Sequence, residues 1–245
     1  MSNKKSIVIS QPMLFPWVGM FEQIRLADVF IFYDDVQFSK GSFTNRVQLK
    51  SKKGSEWMTI PLEKFHLGQN INEIVISNHI DWKNKHLIHL ERCYEKTIFF
   101  EEMMTLVKSV YDIQSDSLSE ITIASMKAIC NYFDLTQMKT FCLSSEYNFQ
   151  GQSSERVLNS VLHFNGSRYI TGHGAQHYLD HELFNEKGIK IEYMNYKKVS
   201  YPQLFGAFTP YVTILDLIAN CGKKGSGYIC SDTIDWRDIS QILEK

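Results

Sequence analysis

The chain has 245 residues, 44% of them hydrophobic and 22% charged, with 26 basic side chains against 27 acidic ones for a net charge of −1. That length buries a sizeable core in one large or two small domains, and the charge balance argues against a broad nucleic-acid or anionic-membrane surface. No run reaches the roughly 20 apolar residues of a membrane span, and Gln11-Pro12 cuts off the apolar start before a signal-peptide core forms.

Ile7–Ile9 reads as a short buried strand running into Gln11-Pro12 and an aromatic, proline-punctuated loop. Trp17–Leu26 places Val18, Phe21 and Ile24 at helical spacing, and Val29–Tyr33 is a continuous apolar run, as an interior strand buried on both faces requires. Strand, helix and strand in so short a span predict a right-handed parallel crossover. Asn45–Lys50 and Glu56–Pro61 flank Lys53-Gly54 and predict a β-hairpin, with a further short strand at Ile71–Ser77. From Trp82 to Phe133 the periodicity is helical (Leu87, Leu90, Cys93, Tyr94; then Met103, Leu106, Val107, Val110), with Ser117 or Ser119 as an N-cap.

Alternation then returns. Lys139–Leu143, Arg168–Thr171 and Ile189–Tyr193 read as strands, with helices over Ser154–Phe164 and around Ala175–Glu186 and a cap at Gly188. A helix at Ile214–Asn220 precedes a Gly/Lys-rich segment, Gly222–Gly227, and a loose tail. The expected fold is one α/β domain over 1–245: a Rossmann-like, mostly parallel sheet with a β-hairpin and a helical insertion at about 82–133. Cys93, Cys130, Cys142, Cys221 and Cys230 are an odd set without CxxC spacing, which reads as reduced thiols in cytoplasm.

Ligands of open α/β sheets sit beyond the strand carboxyl ends. Asp34 and Asp35 end the second strand there, so one of them is a candidate to hold a cation or a ribose, or to deprotonate an attacking amine. The competing reading is a pair of solvated turn residues. Arg46, after Asn45, is a candidate clamp for phosphate or carboxylate, or else a surface cation. His173, His177 and His181 fall at i, i+4 and i+8, but at 1.5 Å per residue they span about 12 Å, too far for one ion. No metal site is expected. Gly172-His173-Gly174 reads better as a tight turn whose amides receive an anion, or simply as a turn. His86 is a weaker catalytic candidate on the middle helix, and Phe15, Trp17 and Phe43 border the expected crevice and suit stacking. No Walker A, GxGxxG, HExxH or GxSxG pattern occurs.

At these residues the chain resembles the WbqC-like family of bacterial polysaccharide-cluster proteins. The matching blocks are Gln11-Pro12 with Phe15–Gly19, Ala27–Phe30, Asp34–Lys40, Asn45-Arg46, Trp57–Pro61, Tyr169–Gly172 with Tyr178-Leu179, Gly188-Ile189, and Tyr201–Gln203 through Phe208 to Leu215-Asp216. The family usually has an uncharged residue where His173 stands. The resemblance implies a role in O-antigen or related surface-glycan biosynthesis, with a suggested glycine transfer to the amine of an amino sugar. The partners would be a nucleotide- or lipid-linked amino sugar and an activated amino-acid or acyl donor.

In that reading Asp34 or Asp35 orients or deprotonates the amine. Arg46 and the Gly172–Gly174 turn hold an anionic part of a substrate, and Gln11, Gln37, Asn45 and Tyr178 orient sugar hydroxyls beside Pro12, Phe15 and Trp17. The cofactor and the oligomeric state stay open. A fold-level resemblance links the Trp17-x-Gly19-Met20 turn to nucleotidyltransferases of HUP-type topology with an H-x-G-H signature, both histidines being replaced here. A nucleotide-dependent ligase or nucleotidyltransferase, and a non-catalytic sugar-binding or scaffold protein, are therefore the alternatives.

Overall fold

The computed structural model describes residues 5–239. It is built on a six-stranded sheet in the order β5-β2-β1-β6-β7-β8. The strands are β1 (Lys5–Ser10), β2 (Val29–Phe32), β5 (Thr140–Leu143), β6 (Gly166–Thr171), β7 (Lys190–Asn195) and β8 (Asp232–Asp235). All neighbours run parallel except β8, which is antiparallel to β7. The mostly parallel α/β architecture expected from the sequence is present. A separate antiparallel hairpin, β3 (Arg46–Ser51) and β4 (Gly54–Thr59), turns at Lys52-Lys53, one residue earlier than its sequence suggests.

Side-chain alternation divides the core into two layers, because successive strand residues point to opposite faces. Val8, Phe30, Phe32 and Ile170 join one cluster, which also takes α1 (Val18–Leu26), the hairpin and the helices of the insertion. Ile7, Ile9, Ile31 and Tyr169 join the other, covered by α5 (Ser153–His163) and α6 (His181–Glu186). The expected insertion is three helices, α2 (Trp82–Tyr94), α3 (Phe100–Tyr111) and α4 (Leu118–Tyr132), and α3 also packs against α7 (Ile214–Cys221). Ser117 is the N-cap of α4, accepting from the Glu120 amide at 3.4 Å.

Three local expectations need correction. Ile71–Ser77 forms no ladder: Ile71–Glu73 is a single 3-10 turn, held because Glu73 reaches back to the Asn70 amide at 2.8 Å, and Val75 and Ile76 make only isolated bridges. The continuous helix expected around Ala175–Glu186 is a 3-10 turn over His173–His177 followed by α6, which starts where Asp180 caps the Leu183 amide. The histidines therefore do not share a helix face. The tail expected to be loose supplies β8, whose sequence DTID lacks the apolar run by which strands are recognised.

Candidate functional site

In strand order, the chain moves from β1 outward through β2 to β5, then returns to the other side of β1 to lay down β6 and β7. The direction reverses between β1 and β6, and such a switch point opens a crevice at the strand carboxyl ends. A cleft of about 700 Å³ lies there, lined by the ends of β1 (Ile9, Ser10) and β6 (Thr171), and by Gln11, Gly172 and His173 just beyond them.

The loop leaving β1 is fixed from two sides. Phe15 has a left-handed backbone (φ 37°) and is fully buried, a conformation that persists for a bulky residue only when its surroundings dictate it. Here its amide donates to Ser125 Oγ of α4 at 3.0 Å, and its carbonyl accepts from Thr213 Oγ1 at 2.7 Å. The next turn delivers Trp17 to the cleft, with its indole lying directly over Gly19, where a Cβ would overlap the ring. Trp17 then packs against Tyr196 and Tyr211, with ring centroids 4.8 and 5.5 Å away.

Tyr196, Lys198 and Tyr211 come from the long connection between β7 and α7, residues 196–213, which straps one side of the cleft. Loops of such length without regular structure are commonly binding elements. Tyr196 accepts from Gln23 Nε2 of α1 at 2.5 Å. Both side chains press on Gly172, where a Cβ would lie 2.9 Å from the Gln23 amide nitrogen. Burial raises the hydroxyl pKa of Tyr33, Tyr178 and Tyr196, so at neutral pH these cleft hydroxyls keep their protons and can donate. His173 Nε2 lies 2.6 Å from the Met194 carbonyl, which can only accept, so Nε2 carries a hydrogen and Nδ1 is the acceptor of the neutral ring. Among the described residues no Asp or Glu lines the cleft, and Lys198 is its one lysine.

Gln11, Trp17, Gly172, His173, Gly174 and Tyr178 of the expected set therefore meet in one place. The other residues go elsewhere. Asp34 is buried and accepts from Ser144 Oγ (3.1 Å), the Ser145 amide (3.0 Å) and Ser145 Oγ (2.6 Å), which ties the end of β2 to the turn after β5. Asp35 accepts from Ser144 Oγ and pairs with Arg156 of α5, each at 2.5 Å. Arg156 in turn lies 5.0 Å from the Tyr33 ring, so the pair sits behind a wall of the cleft rather than within it.

His86 is bonded on both nitrogens, to Tyr111 Oη at 2.8 Å and the Thr59 carbonyl at 2.9 Å, and burial lowers its pKa to about 4. It acts as a clip between α2, α3 and the hairpin. Asn45 bonds the Ile60 carbonyl at 3.0 Å, and Arg46 donates to the Gly41 carbonyl and lies 4.2 Å over Trp57. Gln37 is exposed and bridged to Asn70, and Pro12 is buried outside the cleft lining. Sequence reasoning missed Gln23, Tyr33, Tyr196, Lys198 and Tyr211. The only sequence signal for the last three was a stretch without periodicity carrying aromatic residues and Pro202 and Pro210.

Among the described residues no group of three or more His, Cys, Asp or Glu could hold a metal ion, and no helix is long and apolar enough to cross a membrane. The chain is 32% identical over 230 residues to "Uncharacterized protein Rv1507c" of Mycobacterium tuberculosis (strain ATCC 25618 / H37Rv), covering 92% of this chain and 97% of that protein. No solved structure matches it. The model of the WbqC-like protein family matches residues 11–228, a span that contains every cleft-lining residue except Ile9 and Ser10, and the chain belongs to that family.

Proposed function

We propose that this chain is an aminoacyl (glycyl) or acyl transferase that modifies the amine of an amino sugar in surface-polysaccharide assembly, with the β1–β6 cleft as its sugar site. The observation that carries this reading is the character of the cleft. Its walls are aromatic (Trp17, Tyr33, Tyr178, Tyr196, Tyr211), its polar groups are mostly neutral (Ser10, Gln11, Gln23, Thr171), and among the described residues no carboxylate lines it. Aromatic faces and neutral donors and acceptors suit the apolar faces and hydroxyls of a sugar ring. A cleft of about 700 Å³ is in the range of small-molecule sites.

In this reaction the amine nitrogen attacks the activated carboxyl carbon, the bond from that carbon to the donor's leaving group breaks, and the amine proton passes to a base. Asp34 and Asp35, the bases suggested by sequence position, are held in framework bonds. His173 lines the cleft with Nδ1 as its acceptor and takes that role here. Trp17 and Met20 also line the cleft, and neither stabilises phosphate charge as paired histidines do, which disfavours nucleotidyl transfer.

The test is to incubate purified protein with a nucleotide-linked amino sugar and glycine, with ATP or with charged tRNA, and to read the sugar by mass spectrometry. Gain of one glycyl group, reduced at least tenfold in His173→Ala, is the expected result. No addition from any donor overturns the transferase reading.

A further inference from the structure

A second, smaller cavity of about 320 Å³ lies away from the cleft, between the β3–β4 turn, the end of α2 and the middle of the strap. Its cationic residues are Lys52, Lys53, Arg92 and Lys96, against Glu56 and Glu95. Arg92 is neutralised by Glu56 at 2.5 Å. The ammonium groups of Lys52, Lys53 and Lys96 have no hydrogen bond or ion pair among the described residues. In a chain whose total charge is −1, three unpaired cations around one concavity form a local field that concentrates anions.

Apart from Ser51, the remaining lining is apolar. Cys93 is buried, and Leu204 and Phe205 are presented by the strap. Phe205 has φ 64° and Gly206 has φ 79°. A left-handed phenylalanine is unfavourable on its own, and here it is held between the two points at which Lys50 Nζ grips the strap, Gln203 Oε1 at 2.9 Å and the Ala207 carbonyl at 2.6 Å. The strap is thus fastened in a form that puts an aromatic side chain beside the lysines.

We propose that this cavity is a second binding site, for a phosphate monoester carrying a flat ring, the chemistry of a nucleoside monophosphate. The phosphate takes the three lysines as a point-charge cradle, and the ring lies against Phe205 and Leu204. The size is suited to one nucleotide rather than to a polymer, since pockets for small ligands begin near 300 Å³. The site is independent of the transferase reading of the main cleft and stands or falls separately.

Titration calorimetry on the full chain in low salt tests it, with AMP, CMP, GMP and UMP as probes beside inorganic phosphate. At least one nucleotide is expected to bind at a 1:1 ratio and at least tenfold more tightly than phosphate, with affinity falling as salt rises. The combined variant Lys52→Ala, Lys53→Ala, Lys96→Ala should lose at least tenfold in affinity with its thermal midpoint kept, because these ammonium groups make no bond among the described residues. Phe205→Gly, which suits the left-handed backbone, should remove the preference for nucleotide over phosphate. Absence of binding by all four nucleotides overturns the proposal. So does binding that survives the triple lysine variant, or that is lost instead in Lys198→Ala, which would place the ligand in the main cleft.

Discussion

Two buried titrating groups set opposite pH dependences on stability, and separating them tests the framework that supports the cleft. His86 is held neutral, with its pKa lowered from 6.5 to about 4 by burial. Between those values the unfolded chain binds the proton and the folded one does not, so stability rises with pH through this window and is fully present above 6.5. Asp216, on the first turn of α7, is 1% exposed, and burial raises its pKa from 3.8 to about 6, although Tyr201, Gln203 and Lys50 pull it the other way. Among the described residues no hydrogen bond within normal range reaches its carboxyl oxygens, so burial governs. For Asp216 the folded chain binds the extra proton, and stability is lost as pH rises from 3.8 through 6. Each slope is about 1.4 kcal/mol per pH unit, so the two nearly cancel between pH 4.5 and 6.

Asp216→Asn removes one side of the balance. From pH 6.5 down to 4.5 the variant should lose about 2 kcal/mol that the wild type does not lose, or roughly 4–8 °C in Tm at 2–4 °C per kcal/mol for a domain of this size. The partly exposed His89 and His181, whose pKa values burial also lowers, act in the same direction as His86 and steepen the variant's slope. Urea denaturation at pH 4.5, 5.5 and 6.5 reads the difference directly. Equal pH slopes for wild type and variant would refute the reasoning.

Arg156→Ala should cost about 2 kcal/mol, because it strips the 2.5 Å ion pair from Asp35 in a largely buried setting; a cost under about 0.5 kcal/mol in urea denaturation would mean that water replaces the arginine freely. Gly166→Ala should destabilise by about 1–3 kcal/mol, since a Cβ there overlaps Ile7 and lies 2.9 Å from the Val161 carbonyl oxygen. An unchanged Tm would show that β1 and β6 have slack at their shared start. Trp17→Ala should weaken binding of a nucleotide-linked amino sugar about tenfold, or ~1.4 kcal/mol, by removing the ring between Tyr196 and Tyr211; equal affinity by calorimetry would move the sugar away from this wall.

The sheet was legible because its strands are apolar runs with period-two faces, and the three-helix insertion because Leu90, Cys93, Met103 and Val107 repeat at helical spacing and are buried. The β1 and β6 ends of the cleft were legible for the same reason, since polar Gln11 and Gly172-His173-Gly174 follow predicted strands. Asp34 and Asp35 carried the same signal, and their carboxylates are bonded to other parts of the framework. Their partners Ser144, Ser145 and Arg156 lie more than 100 residues away in the chain, and no local pattern announces a contact of that range. Tyr196 and Tyr211 escaped for the complementary reason. They sit on a strap without periodicity, and their places depend on Trp17 and Gln23, nearly 200 residues earlier.

The β3–β4 hairpin makes sense only in relation to that strap. It adds no strand to the main sheet, and none of its residues lines the cleft. What it contributes is anchorage. The Gln48 carbonyl accepts from the Thr213 amide at 2.8 Å, and Lys50 Nζ reaches Gln203 and Ala207, so both the end and the middle of the strap are pinned to one strand. Gln203 spreads that grip, bonding Tyr201 Oη and both the carbonyl and the amide of Thr209 at 3.0 Å. Lys50 is itself 4% exposed, and burying an ammonium is costly unless its hydrogens are satisfied, so the strap carbonyls and the lysine hold each other in place. Strand β3 and the Tyr201–Gln203 block, distant in sequence, therefore form one support. The strap that carries Tyr196 and Tyr211 of the cleft wall is thus anchored on a hairpin that adds no residue to the cleft lining.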